Sequence, residues 1–406
     1  MVEGYKNTEV GVIPEDWVLF TIEELTPKNK KYNIVDGPFG SNLKTIHYRK
    51  SGIPIITSGY VTNGKFYANE YLYVDLEKFK QEKRSAVKGG DIVMAKIGER
   101  CGASAILPEN HKVSILSGNA LKITIDENYF SKQLISQILW EHHVNGNFEI
   151  LRTTGAQPAL SMANLKKYKI PLPPTKAEQT AIANVLIDAD ALITQLEKLI
   201  HKKKAIKQGA MQELLKPKEG WETKTLGELV EFSNGKAHEQ SIDKNGNYTV
   251  VNSKFVSTEG AIAKYSNQNI SPLFKGDITI VMSDIPNGKA LAKCFLIDKD
   301  NKYTLNQRIG SIRPIEGDSS YYFYQLNRNK YFLAFDSGSG QTNMRKNDIL
   351  NCPFSLPPTL SEQSRIAEIL SDMDIEILKL EDKLEKQKQL KQGMMQSLLT
   401  GKIRLV

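Results

Sequence analysis

Leu172-Pro173-Pro174-Thr175 is followed by Glu178-Gln179, and Leu356-Pro357-Pro358-Thr359 is followed by Glu362-Gln363. Each stretch opens a segment of about forty residues, and the two segments align without a gap at an offset of 184 residues. About half of the aligned positions are identical. This agreement indicates an internal duplication, around which the rest of the chain is organised.

Each copy has the features of a long helix. A Pro-Pro pair is excluded from a helix interior, and the next residue, Thr175 or Thr359, is of a type that caps helix N-termini. Glu178 and Glu362 lie three residues further on, which predicts a capping box in both copies. At about 1.5 Å per residue, about forty residues form a helix of roughly 60 Å.

Apolar residues in both copies recur at alternating intervals of four and three residues. They are Ile182, Leu186, Ala189, Ile193, Leu196 and Ile200, and then Ile366, Leu370, Met373, Ile377, Leu380 and Leu384. This spacing predicts the seam of a coiled coil; the alternative is two amphipathic helices packed in a core. The seam becomes polar at Lys203 and Lys207, and again at Gln387 and Lys391. We therefore expect the last third of each helix to splay or to face a partner.

The composition is typical of a globular protein with a basic surface. Hydrophobic residues make up 40% of the 406 residues, charged residues 25%, and the formal net charge is +8. Such a charge permits a polyanionic partner without requiring one. Three distant cysteines, the lack of a signal-peptide core and the lack of a long apolar run favour a cytoplasmic protein that is not in a membrane.

The regions before the two helices predict domains of mixed helix and strand. Both contain a tryptophan near their start, a glycine-containing loop, a Gly-Asp turn into a β-branched run and a final polar glycine loop. Strand-like segments are Ile55–Val61 and Val250–Val256, and helical patterns lie near Ser131–His142 and Ser320–Leu333. The predicted layout is a first domain at 1–174, a first spacer helix at 175–216, a second domain at 217–358, and a second spacer helix with a tail at 359–406.

The two helices are much more alike than the two domains, which agree only at scattered landmarks and need gaps. Both pairs arose from one duplication and have had the same time to diverge. The helices therefore share one task, whereas the domains are free to perform two different ones. This organisation suits a target with two unlike halves, either DNA or an asymmetric protein.

Motifs for catalysis are absent or unconvincing. Asn351-Cys352-Pro353-Phe354 lacks the first proline of the amino-methyltransferase loop and fits a strand end, and Gly338-Ser339-Gly340 fits an interaction loop. The carboxylates within Asp298–Lys302 lie in a predicted hairpin tip. His142 and His143 are adjacent and cannot share a helix face, so a metal site is not expected. Walker and Gly-x-Ser-x-Gly motifs are absent, and we predict a non-catalytic chain without cofactor or metal.

The chain resembles the DNA specificity (S) subunits of type I restriction–modification systems, and the match covers nearly its full length. The resemblance rests on the two Pro-Pro-x₃-Glu-Gln helix starts and on three further segments: Gly37-Pro38-Phe39-Gly40-Ser41, Thr154-Gly155-Ala156-Gln157-Pro158 and Leu398-Leu399-Thr400-Gly401-Lys402-Ile403. The second polar loop departs from the first, with Gly340-Gln341-Thr342-Asn343 in place of Gly155-Ala156-Gln157-Pro158.

The resemblance implies an α+β protein with an internal pseudo-twofold repeat. Each domain would be a target recognition domain reading one half of a split, asymmetric double-stranded DNA site. The two helices would pack as an antiparallel coiled coil that sets the gap between half-sites. The subunit would be non-catalytic and would bind two modification subunits, which use S-adenosylmethionine to methylate adenine N6. Restriction subunits that depend on ATP would join in the full complex.

Base reading requires amide, hydroxyl and arginine groups on loops, while lysines contact phosphates. On this basis the predicted DNA-binding residues of the first half are Ser41, Asn42, Lys44, Tyr60, Arg152, Thr154 and Gln157. Those of the second half are Asn234, Lys236, Ser253, Lys254, Gln341, Thr342, Asn343 and Arg345. The alternative from another class is a catalytically silent scaffold whose domains bind proteins, and it predicts no preference for any DNA sequence.

Overall fold

The computed structural model describes residues 4–153, 157–285, 289–336, 338 and 340–405. The chain divides into two compact units. Unit 1 comprises Met1–Gln195 and Leu384–Val406, and unit 2 comprises Leu196–Lys383. Each unit therefore contains one domain together with one half of each long helix.

Within its described residues, unit 1 contains short strands, three short helices, the start of one long helix and the end of the other. Its strands are β1 Tyr5–Thr8, β2 Gly11–Pro14, β3 Val18–Thr21, β4 Ile34–Asp36, β5 Ile53–Ile56, β6 Val61–Thr62, β7 Lys65–Phe66, β8 Tyr73–Val74, β9 Ala86–Val87, β10 Ile92–Ala95, β11 Ser104–Ile106, β12 Ser114–Leu116, β13 Ala120–Ile123 and β14 Lys169–Leu172. Its helices are α1 Leu76–Gln81, α2 Lys132–Val144, α3 Met162–Lys167 and the first half of α4 Lys176–Leu214.

Unit 2 repeats this plan with shorter helices. Its strands are β15 Glu222–Thr225, β16 Val230–Asn234, β17 Tyr248–Val251, β18 Lys264–Ser266, β19 Ile278–Val281, β20 Ser283–Asp284, β21 Cys294–Leu296, β22 Tyr303–Leu305, β23 Ile309–Pro314, β24 Thr342–Asn343 and β25 Pro353–Leu356. Its helices are the second half of α4, α5 Ser253–Ser257, α6 Ser319–Leu326, α7 Lys330–Leu333, α8 Lys346–Leu350 and the first half of α9 Leu360–Leu398.

The main sheets of the two units have the same topology. The main sheet of unit 1 has the strand order β11-β10-β13-β4, and that of unit 2 has the order β21-β19-β23-β16, each fully antiparallel. A second sheet in each unit contains one parallel pair, β5 with β12 and β17 with β22. The predicted α+β fold with an internal repeat is confirmed, and the repeat includes the domains.

Both long helices begin at the predicted caps. Glu178 N donates to Thr175 Oγ1 and Glu362 N donates to Thr359 Oγ1, each at 3.2 Å. A capping box also predicts a second hydrogen bond, from the backbone N–H of Thr175 to the Glu178 carboxylate. This prediction is wrong, because the buried Glu178 carboxylate binds Arg404 instead, with Nε 2.5 Å from Oε1.

The predicted seam is buried in both units. In unit 1, Ile182 and Leu186 at the start of α4 belong to the same core as Met395 and Leu398 at the end of α9. In unit 2, the start of α9 and the end of α4 meet in the same way, through Ile366, Leu370, Met211 and Leu214. Within each unit the start of one helix thus packs against the end of the other, so the helices are antiparallel and the predicted coiled coil is confirmed.

The polar end of the seam forms ion pairs and does not splay. Lys391 Nζ lies 2.7 Å from Asp190 Oδ1 in unit 1, and Lys207 binds Asp374 in unit 2. These two pairs are equivalent, because each residue of one lies 184 positions from its counterpart in the other. Lys203 adds a contact of 2.6 Å to a glutamate of α9. The expectation that the last third of each helix splays is wrong, because each of these lysines is bound to an acidic residue of the facing helix. The expectation that this part of the helices faces a partner stays a prediction.

Three local predictions fail. The predicted strand Ile55–Val61 ends at Ile56, because Ser58–Tyr60 form a 3₁₀ turn before the next strand begins at Val61. The predicted strand Val250–Val256 ends at Val251, since the Asn252 side chain accepts from Phe255 N at 2.9 Å and caps α5. The segment 298–302 is not a hairpin tip, because it joins β21 and β22, which belong to different sheets. In the described part of the chain, none of the helices has the length and apolarity needed to cross a membrane.

Candidate nucleic-acid interface

In unit 1, four chain segments lie side by side at one end of the strands of the main sheet. They are the glycine loop 36–44, the turn 117–119, the segment 96–100 and the polar loop 152–160, of which 154–156 lie outside the described residues. Backbone hydrogen bonds join neighbouring segments: Gly37 N donates to Ala120 O at 3.0 Å, Lys96 N to Asn119 O at 2.9 Å, and Leu160 N to Lys96 O at 2.9 Å. We call this surface the unit 1 face.

Unit 2 builds an equivalent surface from the segments 234–238, 306–308, 282–285 and 340–345, and we call it the unit 2 face. Its hydrogen bonds match those of unit 1: Gly235 N donates to Ile309 O at 3.1 Å, Met282 N to Arg308 O at 3.3 Å, and Met344 N to Met282 O at 2.8 Å. Two different sets of side chains are therefore presented on one shared backbone arrangement.

A glycine is required where the first loop passes the turn. A Cβ atom at Gly37 would lie 2.0 Å from Ser117 O, and one at Gly235 would lie 2.0 Å from Asn306 O. Both contacts are to backbone atoms, which cannot rotate away. The glycine loops noted in the sequence thus allow two segments of each face to approach one another closely.

Three of the predicted residues of the first half are exposed on the unit 1 face. Asn42 and Lys44 lie in the glycine loop, at and after the 3₁₀ turn Gly40–Asn42, and Gln157 lies in the polar loop. Thr154 and the side chain of Ser41 lie outside the described residues. The exposed amide and ammonium groups have the donors and acceptors that DNA contacts require.

Tyr60 and Arg152 are already engaged within unit 1. The Tyr60 hydroxyl donates to Glu70 O at 2.7 Å, and burial raises the pKa of this tyrosine. The Arg152 guanidinium lies 2.6 Å from Glu149 Oε1 and donates to Cys101 O at 3.1 Å. These contacts give both side chains a role in holding the loops, which weakens the case for direct base reading.

The predicted residues of the second half divide in the same way. Those that are exposed are Asn234, Lys236, Lys254, Gln341, Asn343 and Arg345. Ser253 is half-buried at the start of α5. Gln341 Nε2 donates to Ser283 Oγ at 2.8 Å, and the buried Thr342 donates to Asp336 Oδ1 at 3.3 Å. Thr342 therefore supports the polar loop and is poorly placed to contact DNA.

Sequence reasoning missed Lys96, Asn119 and Arg308, which lie on the faces. Lys96 Nζ is 2.5 Å from Asp36 Oδ2 and 4.1 Å from the centre of the Phe39 ring, so it holds the glycine loop to the segment 96–100. Asn119 and Arg308 occupy the same position of equivalent turns but are 189 residues apart in the chain. An ungapped comparison at an offset of 184 cannot pair them. The β-branched strands on either side of both turns are a signal from which the two turns could have been aligned.

The residues considered for metal binding have structural roles. His142 Nδ1 lies 2.9 Å from the Tyr168 hydroxyl, and burial lowers the pKa of this histidine to about 4. Asp298 accepts from the Tyr303 hydroxyl at 2.6 Å, and Asp300 accepts from a backbone amide. Among the described residues, no three or more His, Cys, Asp or Glu side chains are grouped so that they could hold a metal ion.

A family model described as the type I restriction modification DNA specificity domain matches residues 14–208 and 218–392. Each match joins one domain to the long helix that follows it, which is the repeat seen in the sequence and in the fold. The chain belongs to this family of DNA specificity subunits.

Relatives of the specificity subunit match it over nearly its full length. The putative type I restriction enzyme MjaX specificity subunit of Methanocaldococcus jannaschii is 27% identical, over 99% of this chain and 97% of its own. The MjaVIII specificity subunit of the same organism is 26% identical, over 99% and 96%. A crystal structure of a type I restriction–modification S subunit from M. genitalium has the same fold, with a TM-score of 0.59 at 14% identity, over 98% of this chain and 99% of its own.

Proposed function

We propose that this specificity subunit recognises a split, asymmetric site in double-stranded DNA, with one face on each half-site. The observation that carries the proposal is the pair of faces, which share one backbone arrangement and differ in side chains. A shared arrangement gives each face the same approach to a DNA groove. Different side chains then give each face its own base preference.

The charge and chemistry of the faces support DNA as the target. The exposed residues include lysines and arginines that suit phosphates and amides that suit base edges. We also infer that the chain has no catalytic role, and that bound modification and restriction subunits carry out methyl transfer and cleavage.

The experiment that tests this function combines binding and modification. The subunit, together with its methyltransferase partner, is tested in a gel shift against a randomised DNA library at several salt concentrations. Adenine methylation is then mapped in cells expressing both proteins. We expect selection of one bipartite sequence and methylation within it. Binding without sequence preference at every salt concentration would favour the protein scaffold instead.

Shortening both long helices should shorten the gap between half-sites. We propose that α4 and α9 set this gap. Deleting the equivalent heptads 193–199 and 377–383 removes about 10 Å from each helix, which corresponds to about three base pairs of DNA. The spacer of the selected site should shorten by about that amount while both half-site sequences stay the same. An unchanged spacer in a folded variant would refute this role of the helices.

We further propose that the two long helices dock two copies of the modification subunit on equivalent exposed stripes. Each stripe has the same residues, which are Lys204, Gln208, Gly209 and Gln212 in unit 2 and Lys388, Gln392, Gly393 and Gln396 in unit 1. Glycine in a helix interior costs about 1 kcal/mol relative to alanine. A Cβ at Gly209 or Gly393 would have nothing within 4 Å. Neither glycine is needed for packing within its unit, and both would admit a closely packed partner.

Substitutions at these glycines should separate stability from assembly. Gly209→Ala and Gly393→Ala should each raise the free energy of unfolding by about 0.5–1 kcal/mol. Gly209→Met should block one docking stripe and reduce the bound modification subunits from two to one, as measured by native mass spectrometry. The double variant with Gly393→Met should bind none. His201→Met, at an exposed position that differs between the repeats, is the control, and full assembly of the double variant would contradict the proposal.

A further inference from the structure

Asn119 and Arg308 occupy one position in two equivalent turns. In unit 1 the turn begins with a hydrogen bond from Ser117 N to Ile56 O at 2.8 Å, and in unit 2 the corresponding bond runs from Asn306 N to the strand β17 at 3.1 Å. The carbonyl of the third turn residue then accepts from the next segment of each face. Each turn is therefore held by backbone hydrogen bonds at its first and third residues. These bonds fix the position of the Cα atom from which the Asn119 or Arg308 side chain extends.

The two side chains are in different states. Asn119 Oδ1 accepts from Ser58 N at 3.3 Å and from Ser117 Oγ at 2.5 Å, so this amide oxygen is occupied by its own unit. Arg308 is exposed, and across the described residues its guanidinium has no hydrogen bond or ion pair. The neighbouring Gln307 instead donates to Glu239 Oε1 at 3.3 Å. The Arg308 guanidinium therefore has unpaired hydrogen-bond donors among the described residues, and the turn that carries it is held in place by backbone hydrogen bonds.

The turn of unit 2 is flanked on both sides by other segments of its face. On one side lies the glycine loop, where Lys236 bridges to Asn306. On the other side lie the segment that starts at Met282 and, beyond it, the polar loop with its exposed Asn343. A side chain in the middle of such a surface reaches towards the floor of a groove, whereas residues at its margins reach the phosphates.

We propose that Arg308 reads a guanine in the half-site bound by unit 2. The planar guanidinium offers two parallel donors that match guanine O6 and N7 in the major groove. The fixed turn lowers the entropic cost of presenting this fork. In unit 1 the equivalent position has an amide whose oxygen is occupied, and so the corresponding base contact differs. This inference rests on the proposed DNA recognition. It adds which base is read in one half-site, guanine, and which residue reads it, Arg308.

The test compares Arg308→Gln and Arg308→Lys with the wild type, each with the methyltransferase partner and a randomised DNA library. Arg308→Lys keeps the charge but cannot make the bidentate contact. Both variants should lose roughly 10- to 100-fold of the preference for guanine at one position of one half-site. The other half-site should be unchanged. Lys299→Gln, which removes an exposed charge of unit 2 away from the face, should keep the full preference.

Two results would overturn the inference. One is an Arg308→Lys variant with full discrimination. The other is an Arg308→Gln variant that binds every sequence more weakly with a reduced salt dependence, which indicates a phosphate contact. If Arg308→Gln fails to fold, Arg308→Lys alone decides. A wild type without any sequence preference would refute the proposed function itself, whereas a selective wild type with unaltered variants would refute only the role of Arg308.

Discussion

Replacing Gly235 with alanine is expected to disrupt the unit 2 face and to abolish recognition of one half-site. The added Cβ would lie 2.0 Å from Asn306 O, and Leu305 O would be only 2.7 Å away. Since both atoms belong to the backbone of β22 and the following turn, relief requires movement of the turn that carries Arg308. We expect a loss of about 3 kcal/mol in the free energy of unfolding of unit 2.

Native-state hydrogen exchange measures this loss locally. Amides of β17, β22 and β23 should exchange faster in Gly235→Ala, while those of unit 1 should not change. Gly340→Ala is a matched control in the same face, because its Cβ would have nothing within 4 Å. Gly37→Ala should have the corresponding effect in unit 1: amides of unit 1 should exchange faster, while those of unit 2 should not change. Normal protection and normal DNA selection by Gly235→Ala would show that the close approach is not required.

The long helices could be predicted almost completely because their signals are local. The Pro-Pro-Thr starts, the heptad spacing and the gapless offset all lie within about forty residues of chain. The partners of the polar residues could not be predicted in this way. Lys207 meets Asp374 and Lys391 meets Asp190 only once the helices are antiparallel and in register. Read from one helix alone, a polar seam position therefore resembled a point where the helices separate.

The faces were predictable only in part, for the same physical reason. Glycine and polar loops are visible in the sequence and supplied exposed residues such as Asn42 and Lys236. Arg152 and Thr342 belong to residue types that read bases, but their hydrogen bonds come from neighbours that only the fold brings together. Arg308 stayed hidden because its equivalence with Asn119 is a property of strand pairing.

The second large effect concerns a contact within unit 1 that has no counterpart among the described residues of unit 2. Arg404 binds the Asp16 carboxylate through two hydrogen bonds of 2.9 and 2.8 Å, and it also binds Glu178. The Glu178 side chain is only 2% exposed. Nearby, Gly401 packs against Pro14 and Trp17, where its Cβ would lie 2.3 Å from the proline ring. The end of α9 and the segment after it are thus held to the start of the domain and of α4.

Arg404→Ala is expected to lower the free energy of unfolding of unit 1 by about 2–3 kcal/mol. The substitution leaves the buried Glu178 carboxylate without its cation, and an unpaired buried charge costs more than the intact pair contributes. The partial exposure of Arg404 places the estimate below the range for fully buried pairs. Urea denaturation followed by hydrogen exchange in β3 and β14 measures the change.

A matched pair of variants separates the stabilisation by the Arg404–Glu178 ion pair from the stabilisation that a glutamate gives to the start of either long helix. Glu178→Gln should destabilise unit 1 by about 1–2 kcal/mol, because it removes the charge that Arg404 binds. Glu362→Gln changes the equivalent residue, which has no arginine partner among the described residues, and it should alter stability by about 0.5 kcal/mol or less. Equal losses for the two variants would show that both glutamates act only through their helix starts. Unequal losses would locate the stabilisation in Arg404, a residue that the internal repeat does not predict.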